Sequence, residues 1–117
     1  MENNPVLEKS IRFAERIVNL DKYLKAKNEF VLSNQILRSG TSIGANVTES
    51  TRAQSKSDFY MKLTIALKEA DETKYWLHLL KTGEYIDAKA YDSLSADCEE
   101  IIKLLVSITK TIKNEKT

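Results

Sequence analysis

A chain of 117 residues, 42% hydrophobic and 30% charged, is long enough to bury one core without disulfide or metal staples. Its formal net charge of +1 excludes a globally basic nucleic-acid binder, so any anion-binding surface has to come from local clustering. The single Cys98 excludes an internal disulfide and a cysteine-based zinc site, and no apolar run approaches the roughly 20 residues that span a bilayer. The opening Met1-Glu2-Asn3-Asn4-Pro5 has neither the basic nor the apolar region of a signal peptide, so a cytoplasmic, bacterial-type protein with no membrane partner is expected.

Three Gly and one Pro favour long helices over a turn-rich β fold. Leu7, Ile11, Ala14 and Val18 form one apolar row, and Phe13, Ile17, Leu20 and Leu24 form a second beside it. Two rows predict a helix from about residue 5 to 26 that is buried on more than one side, opened by Pro5 and closed among Lys22, Lys25 and Lys27. A second helix is expected from about Glu29 to Ala53. Within it Ile36, Ile43 and Val47, with Gly40 between them, keep helical spacing although Gly, Ser and Thr are poor helix formers. Such a helix needs tertiary support, and Gly40 and Ala45 mark a close helix–helix or subunit contact. Arg38, Ser42, Asn46 and Glu49 fall at i, i+4, i+8 and i+11, a polar stripe on that helix.

Gln54 to Ser57 reads as a polar turn in which Ser55 or Ser57 caps a third helix, from Asp58 to about Lys81. Phe59, Leu63, Ala66, Ala70, Tyr75 or Trp76, Leu77 and Leu80 are its inner residues, and Thr82-Gly83 its stop. Asp87 caps a fourth helix with Leu94, Ile101, Leu104 or Leu105, Ile108 and Ile112 inward, fraying from Asn114 to Thr117. Long helices joined by short turns imply an all-α, up-down-up-down antiparallel four-helix bundle, with residues 1–117 as a single domain.

Two motifs carry a resemblance: Gln35-x-x-Arg38-Ser39-x-x-Ser42-Ile43-x-Ala45-Asn46-x-x-Glu49, and Ser57-Asp58-Phe59-x-x-Lys62-Leu63-x-x-Ala66-x-x-Glu69-x-x-Glu72-Thr73-x-Tyr75-Trp76-Leu77. In order, spacing and total length the chain resembles the 23S ribosomal RNA intervening-sequence proteins. The resemblance implies a small bacterial up-down bundle, commonly a ring-like homopentamer. Some members are encoded inside insertions in large-subunit ribosomal RNA genes, and many are free-standing. A related branch, the accessory variability protein of diversity-generating retroelements, binds a reverse transcriptase and nucleic acid.

If the second and third helices are antiparallel about residue 55, Arg38 faces Glu72, Ser42 faces Glu69, and Glu49 faces Lys62. The stripe Arg38, Ser42, Asn46, Glu49, Lys62, Glu69 and Glu72 then reads as a hydrogen-bonded network that sets register or a subunit interface. The functional alternative is an anion site at Arg38. Glu69 and Glu72 lack the Glu-x-x-His partners of a di-iron bundle, since Tyr75 follows Glu72 and His78 is the only histidine. His78 has no second histidine, no cysteine nearby in sequence and no acidic residue at i+4, and Cys98 between Asp97 and Glu99 is expected to be an inert thiol. Gly40 and Gly44 sit within a helical pattern, so they make no phosphate loop. No catalytic residue, metal or cofactor is expected, and the chain does not read as an enzyme.

One end of the bundle gathers Lys9, Arg12, Arg52, Lys56, Lys62, Lys110, Lys113 and Lys116 against Glu2, Glu8, Glu49, Asp58 and Glu115, an excess of three cations per chain. The other end sets Lys22, Lys25, Lys27, Lys81 and Lys89 against Asp21, Glu29, Glu84 and Asp87. A ring would multiply the first excess around one rim, where Arg52, Lys56, Lys110 and Lys113 are the candidate contacts to RNA or DNA phosphates. Tyr75 and Trp76 are adjacent and cannot both enter a narrow core, so one of them is expected at a subunit or partner interface. The reading is a non-enzymatic oligomeric scaffold or adaptor with a nucleic-acid-binding rim. The alternative is a protein-interaction module that touches no nucleic acid.

Overall fold

The structure is a computed structural model and describes residues 3–115. Its first helix starts because Asn4 Oδ1 accepts the Leu7 N–H at 3.2 Å while Pro5 takes the first helical position, where a missing N–H costs nothing. This helix, α1, is Pro5–Ala26, and it ends as Asn28 turns the chain with φ 66°. Glu29 then folds its carboxylate over the next helix start and accepts the N–H groups of Leu32 and Ser33. That helix, α2, is Val31–Ser50. It is shorter at both ends than the sequence pattern predicts, because Glu29 serves as its cap rather than its first turn. At the other end, Thr51, Arg52 and Ala53 bond back to the carbonyls of Thr48, Glu49 and Ser50 in a tighter turn.

Of the two serines that could cap α3, Ser55 does so, accepting the Asp58 N–H at 3.0 Å. The helix therefore spans Lys56–Thr82, beginning two residues earlier than expected. Asp87 accepts the Ala90 N–H at 2.8 Å and opens α4, Ala88–Asn114. Glu115 closes that helix, and the Lys116 and Thr117 of the expected frayed tail lie outside the described residues.

The four helices run antiparallel in sequence order, each packed on its chain neighbours with α1 closing onto α4, in a body 49 × 25 × 20 Å. Among the described residues there are only helices and turns. Phe13, Ile17, Leu24, Ile36, Ile43, Leu63, Leu77, Leu80, Ile101 and Leu105 fill the axis. The α1–α2 seam is closed by small residues. A Cβ on Gly40 would sit 2.8 Å from Ile17 Cγ1, and one on Gly44 would sit 3.3 Å from the Ser10 carbonyl oxygen. Gly40 thus packs on α1 of its own chain and is buried there, so of the helix–helix and subunit contacts it was expected to mark, the structure shows the helix–helix one.

The two apolar rows of α1 are not equivalent. Phe13, Ile17, Leu20 and Leu24 are core, whereas Ile11 is 46% and Val18 38% exposed. Leu7 of the other row packs partly on the core and Ala14 is half-buried, while Ile11 and Val18 lie on the side of the helix that has no neighbour in the chain. Conversely, Thr73 and Cys98 are fully buried although neither was expected in the core. Thr73 Oγ1 lies 2.8 Å from both Ser39 Oγ and the Glu69 carbonyl, so a polar pair replaces an apolar contact between α2 and α3. Every buried side-chain nitrogen and oxygen of the described residues has a hydrogen-bond partner.

Candidate functional site

The polar stripe of α2 meets α3 through Arg38. One guanidinium nitrogen lies 3.1 Å from Glu69 Oε1 and the other bonds Glu72 Oε2. Glu69 and Glu72, three residues apart, stand on one face of α3, so a single planar fork bridges both. Glu72 also accepts the Trp76 indole N–H at 2.9 Å. That bond and the Arg38 guanidinium hold the Glu72 carboxyl below its usual range, and Glu72 in turn raises the Arg38 pKa. Further along, Lys62 Nζ lies 2.9 Å from Glu49 Oε1, which raises the lysine's pKa.

Ser42 and Asn46 do not cross to α3. The Ser42 hydroxyl donates to the Arg38 carbonyl at 2.6 Å and the Asn46 amide donates to the Ser42 carbonyl at 2.9 Å, both within α2. Ser42 therefore does not meet Glu69: its side chain is short, and a carbonyl of its own helix is nearer. The cross-helix network reduces to the Arg38 fork, which pairs with both Glu69 and Glu72, and the Lys62–Glu49 pair. With the Arg38 side chain 48% exposed, the first of them is a screened surface interaction. The Arg38 guanidinium faces two carboxylates, so the three groups together carry a net negative charge.

At the rim, Arg52, Lys56, Lys110 and Lys113 are all exposed, and Lys56 Nζ lies 3.5 Å from Glu115 Oε1, which places the start of α3 beside the end of α4. Lys9 pairs with Glu100 at 3.1 Å. Arg52, Lys110 and Lys113 have no ion pair among the described residues, while Glu2 and Lys116 lie outside them.

Ala45 is exposed on the outer surface of α2. Tyr75 is 55% exposed and its ring meets Trp76 edge-on at 4.9 Å, with Trp76 half-buried against Glu72. Tyr75 is thus the outward member of the pair. Cys98 donates to the Ala70 carbonyl at 3.4 Å, and its pKa is pushed up to about 12. Burial, more than the adjacent acids, raises it, so the group is a neutral thiol at physiological pH. No group of three or more His, Cys, Asp or Glu side chains among the described residues is arranged to hold a metal ion, and no helix is long and apolar enough to cross a membrane.

Asp21 was not singled out in the sequence. It is 8% exposed, bonds the Ser33 hydroxyl across the α1–α2 turn, and lies 2.9 Å from Lys25 Nζ. The i,i+4 pairing with Lys25 was the available signal, but it reads as an ordinary surface pair until Ser33 is brought over it.

An up-down helical bundle whose polar groups lie on its flanks and ends, rather than converging in an interior cavity, defines the class. The chain belongs to the 23S rRNA-intervening sequence protein family, which matches residues 2–107. It is also similar to a crystal structure from Bacteroides thetaiotaomicron, described as a protein with unknown function from the S23 ribosomal protein family. The two share 59% identity over 90% of this chain and 98% of that one, with a TM-score of 0.88. No curated protein matches.

Proposed function

We propose that the protein is a non-enzymatic homo-oligomeric scaffold, a ring of five as the family resemblance implies, that presents a basic rim to RNA or DNA in the cytoplasm. The observation that carries assembly is a pair of partly exposed apolar rows. Leu7, Ile11, Ala14 and Val18 form one on α1. On α3 the other is broken into two pairs, Met61 with Ile65 and Tyr75 with Leu79, separated by Lys68 and Glu72, and Met61 and Tyr75 are each 55% exposed. The rows differ in composition and lie on different helices. A contact that joins one row to the other on the next copy is heterologous, and such contacts give a ring where the rotation closes and an open filament where it does not. Burying exposed apolar surface at about 25 cal/mol per Å² gives the driving force.

A ring repeats Arg52, Lys110 and Lys113 around one edge, with Lys56 beside them. These side chains are long and unaccompanied by base-reading aromatics, so they support contacts to phosphates with little sequence preference. The words "rRNA" and "ribosomal" in the descriptions of the family and of the similar structure make RNA the first probe. A gel shift with arbitrary RNA at low salt is expected to show binding that falls steeply as salt rises, and R52E/K56E is expected to weaken it while leaving the fold intact. Binding that is absent at low salt supports the other reading, a protein-interaction module built on the exposed Tyr75 and its partner ring Trp76, and RNA binding that survives the reversal rules out the rim as the contact.

A further inference from the structure

The end of the bundle opposite the rim carries aromatic surface. Tyr23, near the end of α1 and 46% exposed, and Tyr85, in the α3–α4 connection and 38% exposed, line one cleft of about 500 Å³ together with Lys27, Lys81 and Ile86. A second cleft of about 420 Å³ shares Tyr23 and Ile86 with it and continues between α1 and α4. The local sequence builds this shape. Gly83 lies against the Tyr85 ring, where a Cβ would come within 2.9 Å of Cε2. Glu84 turns the chain with φ 62°, the Tyr85 N–H bonds the Leu80 carbonyl at 2.9 Å, and Ile86 is buried beneath.

The cations at this cleft rest on aromatic rings. Lys27 Nζ stands 4.5 Å from the centroid of the Tyr23 ring, and Lys81 Nζ stands 4.4 Å from that of Tyr91. Neither lysine has a carboxylate partner among the described residues. Most of the carboxylates at this end are already engaged: Asp21 with Ser33 and Lys25, Glu29 with the first N–H groups of α2, and Asp87 with the Ala90 N–H. Two carboxylates stand on the cleft wall: Glu84, which has no such bond, and Asp87, whose bond to a backbone N–H leaves its charge in place, so the lining holds two cations and two anions.

We propose that this cleft binds a nucleotide unit, its base stacked on Tyr23 and Tyr85 and its phosphate held by Lys27 and Lys81. Planar aromatic walls over an apolar floor suit a base, and two lysines resting on rings suit an anion. The unit is either a free nucleotide or part of an unpaired strand. This site is independent of the rim, which lies at the other end and touches phosphates alone.

The test uses the full chain, circular dichroism as a fold control, and three probes: a fluorescent single-stranded RNA ten-mer, AMP, and inorganic phosphate. Y23A/Y85A is expected to weaken the strand at least about fivefold, as loss of base stacking does, while Y23F/Y85F binds as wild type. K27Q/K81Q is expected to lower the salt slope by about 0.7, the single-strand value for the one phosphate that the two lysines hold. R52E/K56E is expected to leave AMP binding unchanged. AMP competing with the strand identifies a free nucleotide as sufficient; strand binding without AMP binding identifies an unpaired strand as the ligand. Either supports the site. The proposal is overturned if neither binds, if phosphate binds as well as AMP, or if a folded Y23A/Y85A binds like wild type. Loss of strand binding in the rim variant alone would overturn the cleft and leave the rim standing.

Discussion

Gly40 shows how one missing side chain sets the distance between two helices. Its hypothetical Cβ would meet Cγ1, Cγ2 and Cβ of Ile17, all within 3.3 Å, and Ile17 is β-branched and wholly buried. Such a group cannot swing aside. Gly→Ala in an exposed helix gains about 1 kcal/mol, but overpacking a core costs about 1 to 3 kcal/mol. G40A is therefore expected to lower the melting temperature, and to cost less in an I17A background that makes room. A G40A protein that melts higher than wild type would show that the seam has slack. The Arg38 fork is the opposite case, an interaction with good geometry in a wet place. R38A is expected to cost no more than about 1 kcal/mol in thermal or urea melts. Protonation should matter more broadly. Burial pushes the Asp21 carboxyl up, but the Ser33 hydroxyl and Lys25 outweigh it and hold the group below its ordinary 3.8; Glu72 lies below 4.5. A carboxylate lowered in the folded state adds stability that is present above its unfolded pKa and lost as pH falls through the folded one. Melting temperature is thus expected to drop between about pH 5 and pH 2, and less steeply in E72Q, where one of those groups no longer titrates. An acid limb unchanged in E72Q would exclude Glu72 from it.

At the scale of the elements, the order of helices and their inner faces were legible from apolar spacing alone, since Phe13, Ile36, Leu63 and Leu105 fall where a period of 3.6 puts them. The ends were less so. Glu29 looks like a helix residue by propensity, yet its carboxylate is worth more to α2 as an acceptor for Leu32 and Ser33 than as one further turn. E29A is accordingly expected to cost about 1 kcal/mol, and circular dichroism with thermal melts would show whether the start of α2 depends on this cap. Thr73 escaped notice because a buried hydroxyl is legible only with its partner Ser39, which is far away in sequence. The pairing of Arg38 with Glu72 could be read from an antiparallel register about residue 55, whereas Ser42 could not, because backbone geometry decided its bond. The cleft at Tyr23 and Tyr85 was not legible at all. It depends on the left-handed turn at Glu84 and on a ring resting against Gly83.

For the whole molecule, the chain covers its own core completely but leaves two unlike apolar rows and two unlike ends. The rows on α1 and α3 would join successive copies, and the ends would then become two faces of a ring, one lined by Arg52, Lys110 and Lys113 and the other by Tyr23 and Tyr85. Each face depends on assembly for its multiplicity, so the assembly is the claim on which the rest turns. Charge placed in the α1 row, as in I11E/V18E, should break the contact without entering the core, because both side chains point away from it. Light scattering coupled to size exclusion at micromolar concentration measures this directly. Wild type is expected near five times the 13.3 kDa chain mass, and I11E/V18E near the chain mass with unchanged helix content. A wild-type protein at 13.3 kDa across the whole concentration range would contradict the ring.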